Sequence, residues 1–484
     1  MKKLALVLVC LMLLGVVFTA CASNDTGTTS TTAPQVTDAA ETTEVAIDKN
    51  KFDDVGDHNF EGYNFNVYSP DPAGMTWIWC TLTSAESDGS TINDSIYESC
   101  LALKSRFNIE ITESYFEWSS SVSVLTNLVK AGDATYDIIT MVDRDAVKAA
   151  QEGMLYSMKD LPYINLEKDY WGMGLQNYIT IKNNSYFSFA DYNLSAYEFT
   201  CMLAFNKKIA DMYQVDDMYK MVDDGKWTYD KFGELALLTT VDLNGDGTMD
   251  GTSDGWGYSS EYNQSVLPSF WVAAGLTCVE KDADDIPSFK LQENEKFFDM
   301  FNRLFEMTYD ANTVTFNAKF IDGNVFIYTV KTAVLNTLRD MEDDFGIIPH
   351  PKWNEAQDGY YSRVEGSNFT VVPIINPEPE RTSIIMEAWA SLAHRILIPN
   401  YYEVLVESKY TRDEESIRML ELIFSNRVYD LGDTFWCNEI RDGFLAGLFS
   451  NNKRDLASAL AQRQTSIDGA IVKTINLFDS ISEN

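Results

Sequence analysis

Alternation of apolar and polar positions opens the folded part of the chain. Phe65 and Val67 face one way while Asn64 and Asn66 face the other, which predicts a short strand. The turn-rich run Ser69–Gly74 follows, and then the aromatic pair Trp77 and Trp79. Ile92, Ile96, Cys100, Leu103 and Phe107 recur at spacings of four and three, so one apolar stripe marks a helix. Thr91 with Asp94 three places on has the form of a capping box at its start. Ile109–Thr112 alternates again as a strand, Val122–Lys130 reads as a helix stopped by Gly132, and Tyr136–Met141 is the apolar run of a buried parallel strand. Strand, helix, strand, helix, strand is α/β order.

Further on, Tyr186–Asn206 predicts a long extended stretch, and Tyr229–Thr239 a helix before the loop Asp242–Gly257. Phe297–Thr308 is helical by pattern, whereas Ile321–Val330, Phe345–Ile348 and Phe369–Ile375 read as strands. From Glu380 the pattern is mainly helical, with helices expected at Thr382–Ile398, Glu414–Phe424 and Asp455–Phe478. No internal repeat occurs.

The first residues have a different logic. Met1-Lys2-Lys3 precedes an apolar run from Leu4 to Ala20, and Cys21 follows directly. A positive start, an apolar core and small residues before a cut site predict a secretory signal over residues 1–20. A cysteine at that point resembles the lipobox of bacterial lipoproteins, which makes Cys21 the lipidated first residue of the mature chain. A transmembrane anchor is the alternative, but no basic stop-transfer cluster follows. Residues 21–49 are rich in threonine and poor in large apolar side chains, too little to offset ordering entropy, so a disordered linker is expected. Such a coil holds the body roughly 30 Å from the membrane.

Composition adds exclusions. The remaining chain is too long for one core and predicts two lobes. A formal charge of −36 repels nucleic acid and anionic lipid, and makes an anionic ligand unfavourable unless arginines converge locally. Cys80, Cys100, Cys201, Cys278 and Cys437 are left in the body, odd in number and without a CxxC spacing, which favours buried thiols over a disulfide framework or a zinc site. His58, His350 and His394 lie far apart, and no Walker A loop, GxSxG elbow or GxGxxG fingerprint occurs.

Several ordered segments carry a resemblance. Tyr136-Asp137-Ile138-Ile139 with Gly153-Met154-Leu155 and Asp160-Leu161-Pro162, then Leu203–Lys207, Gly225-Lys226-Trp227-Thr228, Asp242–Gly247, Phe320–Asn324, Phe345–Pro349 and Arg412–Ser416 resemble runs of one family. It is the extracellular solute-binding lipoproteins of bacterial carbohydrate ABC importers (family 1, maltose-binding-protein-like). Phe205 departs from the tyrosine of the usual YNK element. The resemblance implies an α/β, two-lobed, type II periplasmic-binding-protein-like fold with a ligand cleft between the lobes and a mainly helical C-terminal part. It places residues 50–195 and 322–366 in lobe 1, and 196–321 and 367–484 in lobe 2. Chain crossings are expected near Asp191–Thr200, Phe320–Tyr328 and Val364–Val371.

A saccharide site needs aromatic faces for the sugar ring and polar groups for its hydroxyls. Aromatic residues make up 13% of the chain. From the lobe scheme the candidates are Asp143, Arg144, Asp191, Tyr192, Asn193, Tyr197, Trp256, Trp271, Glu365 and Trp436. Asp242, Asn244, Asp246, Thr248 and Asp250 match EF-hand calcium positions, although Ser253 stands where the bidentate glutamate belongs. Beyond that calcium no cofactor is expected. The expected function is capture of a neutral oligosaccharide, without chemical change, by a monomer on the outer face of the cytoplasmic membrane that delivers it to an ABC transporter permease. A surface-anchored glycan hydrolase or lyase is the alternative, since such an enzyme needs only a carboxylate pair across the scissile bond.

Overall fold

The computed structural model describes residues 53–172, 174–260, 263–407 and 414–482. The signal segment, Cys21 and the whole of the linker lie outside the described residues, as do Arg412 and Asp413. Among the described residues the body has two larger sheets and two small two-stranded ones. The first contains β1 (Tyr63–Pro70), β2 (Ile109–Phe116), β3 (Ile138–Val142) and β12 (Asn368–Val371) in the order β12-β3-β1-β2. β1 runs parallel to β2 and β3, so crossover helices must join them. These are α1 (Thr91–Phe107) and α2 (Ser121–Ala131). α1 buries the predicted stripe of Ile92, Ile96, Cys100, Leu103 and Phe107, and α2 stops at Gly132, whose φ of 62° is the left-handed cap. The start of α1 differs from the capping-box expectation. Ser90 is the N-cap, and the Asp94 carboxylate accepts from Ser87, Asp88 and Gly89 in the preceding loop.

The second sheet has the order β10-β4-β9-β5-β8, from β4 (Cys201–Asn206), β5 (Trp256–Ser260), β8 (Val314–Thr315), β9 (Val325–Lys331) and β10 (Phe345–Ile348). β4 is antiparallel to β9 and β10, and β5 is parallel to β9. A small hairpin joins β6 (Val279–Lys281) to β7 (Pro287–Phe289), and β11 (Ser362–Arg363) pairs with β13 (Arg427–Val428). The whole is a two-lobed α/β fold of the type II periplasmic-binding class.

Strand pairing redraws the expected lobes. Residues 322–366, expected in lobe 1, supply β9 and β10 to the second sheet, while 367–484, expected in lobe 2, supply β12 to the first. No crossing occurs near Phe320–Tyr328, because β8 and β9 belong to one sheet. Periodicity marks a strand but not its neighbours, and here the neighbours decide. The crossings near Asp191–Thr200 and Val364–Val371 are real and run side by side. Thr200 bridges Val364, the Glu365 N–H donates to the Phe199 carbonyl (3.0 Å), and the Val364 N–H to Val428 (2.9 Å).

Of the long stretch expected to be extended, Ser195–Glu198 forms a helical turn before β4. The helix α3 (Asp143–Gln151) follows β3 directly, and α4 (Tyr229–Thr239) packs on β5. α5 (Pro379–Glu407) is longer than predicted and continues through Pro399, because Leu397, Ile398, Tyr401 and Leu405 remain buried beside α1. α6 (Glu414–Ser425) packs instead on β10, and α7 (Leu456–Ser482) on α3. The body cysteines are all unpaired and buried. No helix among the described residues is long and apolar enough to cross a membrane.

Candidate functional site

Three parallel strands of the first sheet end at one edge, where chain leaving an α/β sheet forms a crevice. After β1, Asp71 caps a short turn by accepting from the Ala73 N–H (2.9 Å), and Met75 and Trp77 follow. After β2, the Glu117 carboxylate accepts from the Ser119 N–H (3.1 Å) and sets the turn that carries Trp118. After β3 come Asp143 and Arg144, at the start of α3. Trp77 and Trp118 meet edge to face, with ring centres 5.9 Å apart. The second sheet faces them with Phe199, before β4, and Lys331, at the end of β9. The crossing Glu365–Asn368 and the C-terminal residues Asp433, Cys437 and Arg441 close a cavity of ≈ 390 Å³. That is the size of a small-molecule site. A more open hollow of ≈ 960 Å³ among Tyr178, Lys296, Trp353 and Tyr361 is larger, but none of these strand ends reaches it.

The charged groups are organised in layers. Asp433 lies fully buried, gripped by Arg363 through Nε (2.5 Å) and Nη2 (2.9 Å) and by Arg441 Nη1 (2.7 Å). Burial alone would raise its pKa, but the two guanidinium charges hold it below the usual range. Asp143 has the opposite balance. Burial raises it, although its oxygens accept from Tyr429 (2.7 Å) and from the Arg144 N–H (2.7 Å). Glu365 sits 3.5 Å from Lys331 Nζ, which also lies 5.4 Å from the centre of the Phe199 ring. Aromatic faces beside charged and amide groups can hold a polar ring with an apolar face.

Asp143, Arg144 and Glu365 from the sequence-derived candidates line this cavity. The others are framework residues. Trp256 begins β5 beside Val325, at the sheet end opposite Lys331, and its indole N–H donates to the Asp250 carbonyl (2.8 Å). Trp271 is buried and donates to Asp430 (2.9 Å), and Trp436 is buried against Thr474 (3.3 Å). Tyr192 stacks on Trp389 at 4.7 Å. Tyr197 donates to Asp191, which also contacts His394 Nδ1 (2.5 Å), and Asn193 donates to the Asn368 carbonyl (2.7 Å). These groups brace the crossings. An indole with a buried hydrogen-bond partner looks the same in sequence as one turned toward solvent. Trp118, Phe199, Lys331, Asn368 and Arg441 escaped the sequence reading. The available signal was the position of Trp77 and Trp118 just beyond predicted strand ends.

In the acidic loop, Asp242 accepts from the N–H groups of Gly245 and Gly247, Asp246 from Thr248, and Asp250 from Thr252 and Ser253. Asp254 ties the loop together by accepting from Leu243 (2.9 Å) and Asp250 (2.7 Å). The carboxylates are turned to the loop's own backbone. Among the described residues no group of three or more acidic, histidine or cysteine side chains is placed to hold a metal ion.

No family model and no curated protein sequence matches the chain. Solved structures do. UspC of M. tuberculosis aligns over 84% of this chain and 100% of its own at 15% identity, with a TM-score of 0.57. The maltose-binding periplasmic protein MalE of Listeria monocytogenes, in complex with maltose, aligns over 87% and 98% at 13% identity, TM-score 0.53. The cyclic alpha-maltosyl-1,6-maltose binding protein of Arthrobacter globiformis aligns over 87% and 99% at 12% identity, TM-score 0.53. At such identities the likeness establishes a shared fold.

Proposed function

We propose that this chain is a saccharide-binding protein that captures its ligand between the lobes, unchanged, and passes it to the permease of an ABC transporter. The observation that carries this reading is the cavity itself, where Trp77 and Trp118 from strand ends of one lobe face Lys331 and the Glu365–Asn368 crossing. The printed names of the similar folds, binding proteins for maltose and for a cyclic maltosyl-maltose, support the same class. A thermal-shift screen of saccharides on the full-length protein tests it, because a ligand that binds only the folded state raises its stability. Recovery of a cleaved ligand would reverse the choice in favour of a hydrolase or lyase.

The reading places the body outside the cytoplasmic membrane, as a monomer, held by lipid on Cys21 and with no nucleic-acid partner. Wild-type protein should incorporate labelled fatty acid and Cys21→Ala should not; absence of label in wild type rejects the anchor. Calcium in the Asp242–Asp250 loop is a separate proposal that rests on ligand spacing alone. A melting temperature lowered by EDTA in wild type but not in Asp246→Ala supports it, and equal curves leave a self-bonded turn.

A further inference from the structure

The overall charge of −36 led to the expectation of a neutral ligand, yet the cavity wall carries an exposed arginine. Arg144 is exposed there and, among the described residues, its guanidinium has no carboxylate within ion-pair distance. The side chains of Lys331 and Arg441 are 17% and 14% exposed, and Glu365 is 24% exposed. Asp433 is 0% exposed between two arginines, Asp143 is covered by Tyr429 and the start of α3, and Asp442, 40% exposed, accepts from Arg441 Nε (2.8 Å) and Nη2 (3.1 Å). Lys331 is thus paired with Glu365 and Arg441 with Asp433 and Asp442, and Arg144 is the cavity's exposed cation without a carboxylate partner among the described residues. A second observation is independent of charge. Asn368, only 3% exposed, lines the cavity with its Nδ2 donor unpartnered. A buried donor without an acceptor is costly, and a ligand oxygen is the natural means of satisfying it.

We infer that the cavity selects an anionic saccharide, one bearing a uronate carboxylate or a sulfate ester. Neutral hydroxyls both donate and accept, so they match a balanced set of donors and acceptors. This wall offers the unpartnered donors of Arg144 and Asn368, and a planar guanidinium is suited to paired oxygens. Trp77 and Trp118 hold the ring, and Arg144, with the Asn368 amide, meets the acidic group. The inference rests on the saccharide-binding reading above.

Calorimetry on the full-length protein with three matched probes tests it: a digalacturonate, a sulfated disaccharide and a neutral disaccharide. One acidic probe should bind at least about tenfold tighter than the neutral one, about what a single charge-assisted hydrogen bond contributes. The advantage should shrink as salt rises. Arg144→Gln should remove most of it with the melting temperature unchanged, because Arg144 is exposed. The two acidic arms distinguish carboxylate from sulfate. Neutral binding as tight as the tighter acidic probe overturns this inference and leaves the saccharide reading standing. Absence of binding by every probe overturns both.

Discussion

Tryptophans at the residue scale divide by what surrounds their indole. Trp77 is 43% exposed in the cavity, whereas Trp271 is fully buried with its N–H on Asp430. Trp77→Ala or Trp118→Ala should therefore weaken saccharide binding by about 1–3 kcal/mol and barely change the melting temperature. Trp271→Ala should do the reverse, costing about 3–5 kcal/mol of stability in urea titration with affinity retained in the folded fraction. His350 offers a test by pH. Burial, reinforced by the charge of Arg363, pushes it from 6.5 down to about 3, so the folded protein holds a neutral ring. Between those values the unfolded chain binds a proton that the folded chain does not. The contribution of His350 is present above pH 6.5 and is lost as pH falls toward 3. Asp430 opposes it, since burial raises that carboxyl from 3.8 to about 6 and its contribution is lost as pH rises through that window. The difference between wild type and His350→Gln isolates the histidine. The variant should lose stability less steeply on acidification, by up to about 1.4 kcal/mol per pH unit. Parallel pH profiles would reject this role.

Elements were legible where a local period meets a single buried face. The stripe of α1 and the apolar run of β3 are such cases, and both formed as expected. α5 was legible only in part, since Pro399 marks a stop that burial of the following turns overrides. At Gly257 in β5 the spacing between layers is set by the absence of a side chain. A Cβ there would lie 2.0 Å from the Ala236 carbonyl oxygen of α4. Gly257→Ala must push α4 off the sheet, and the expected loss of about 1–3 kcal/mol should appear as a lower denaturation midpoint. An unchanged midpoint would mean that the helix is free to move.

For the whole molecule, the cavity and the crossings belong to one device. Phe199-Thr200, Val364-Glu365 and Val428 run together between the lobes, and Glu365 also lines the cavity. On the proposed function, a ligand touching both walls would favour a closed arrangement of the lobes over an open one. Small-angle scattering should show a smaller radius of gyration at saturating ligand, and an unchanged radius would reject closure. The chain by itself determined the kinds of element and the α/β order, and the lobe scheme implied by the resemblance added three residues that line the cavity, Asp143, Arg144 and Glu365. These depend on neighbours along the backbone, or on the end of a recognisable strand. Only the tertiary structure decided which strands share a sheet, which tryptophans face the cavity and which arginine there is left without a carboxylate. Each of those depends on residues brought together from distant parts of the chain, such as Asp143 with Tyr429 or Arg363 with Asp433, and no local period encodes such a meeting.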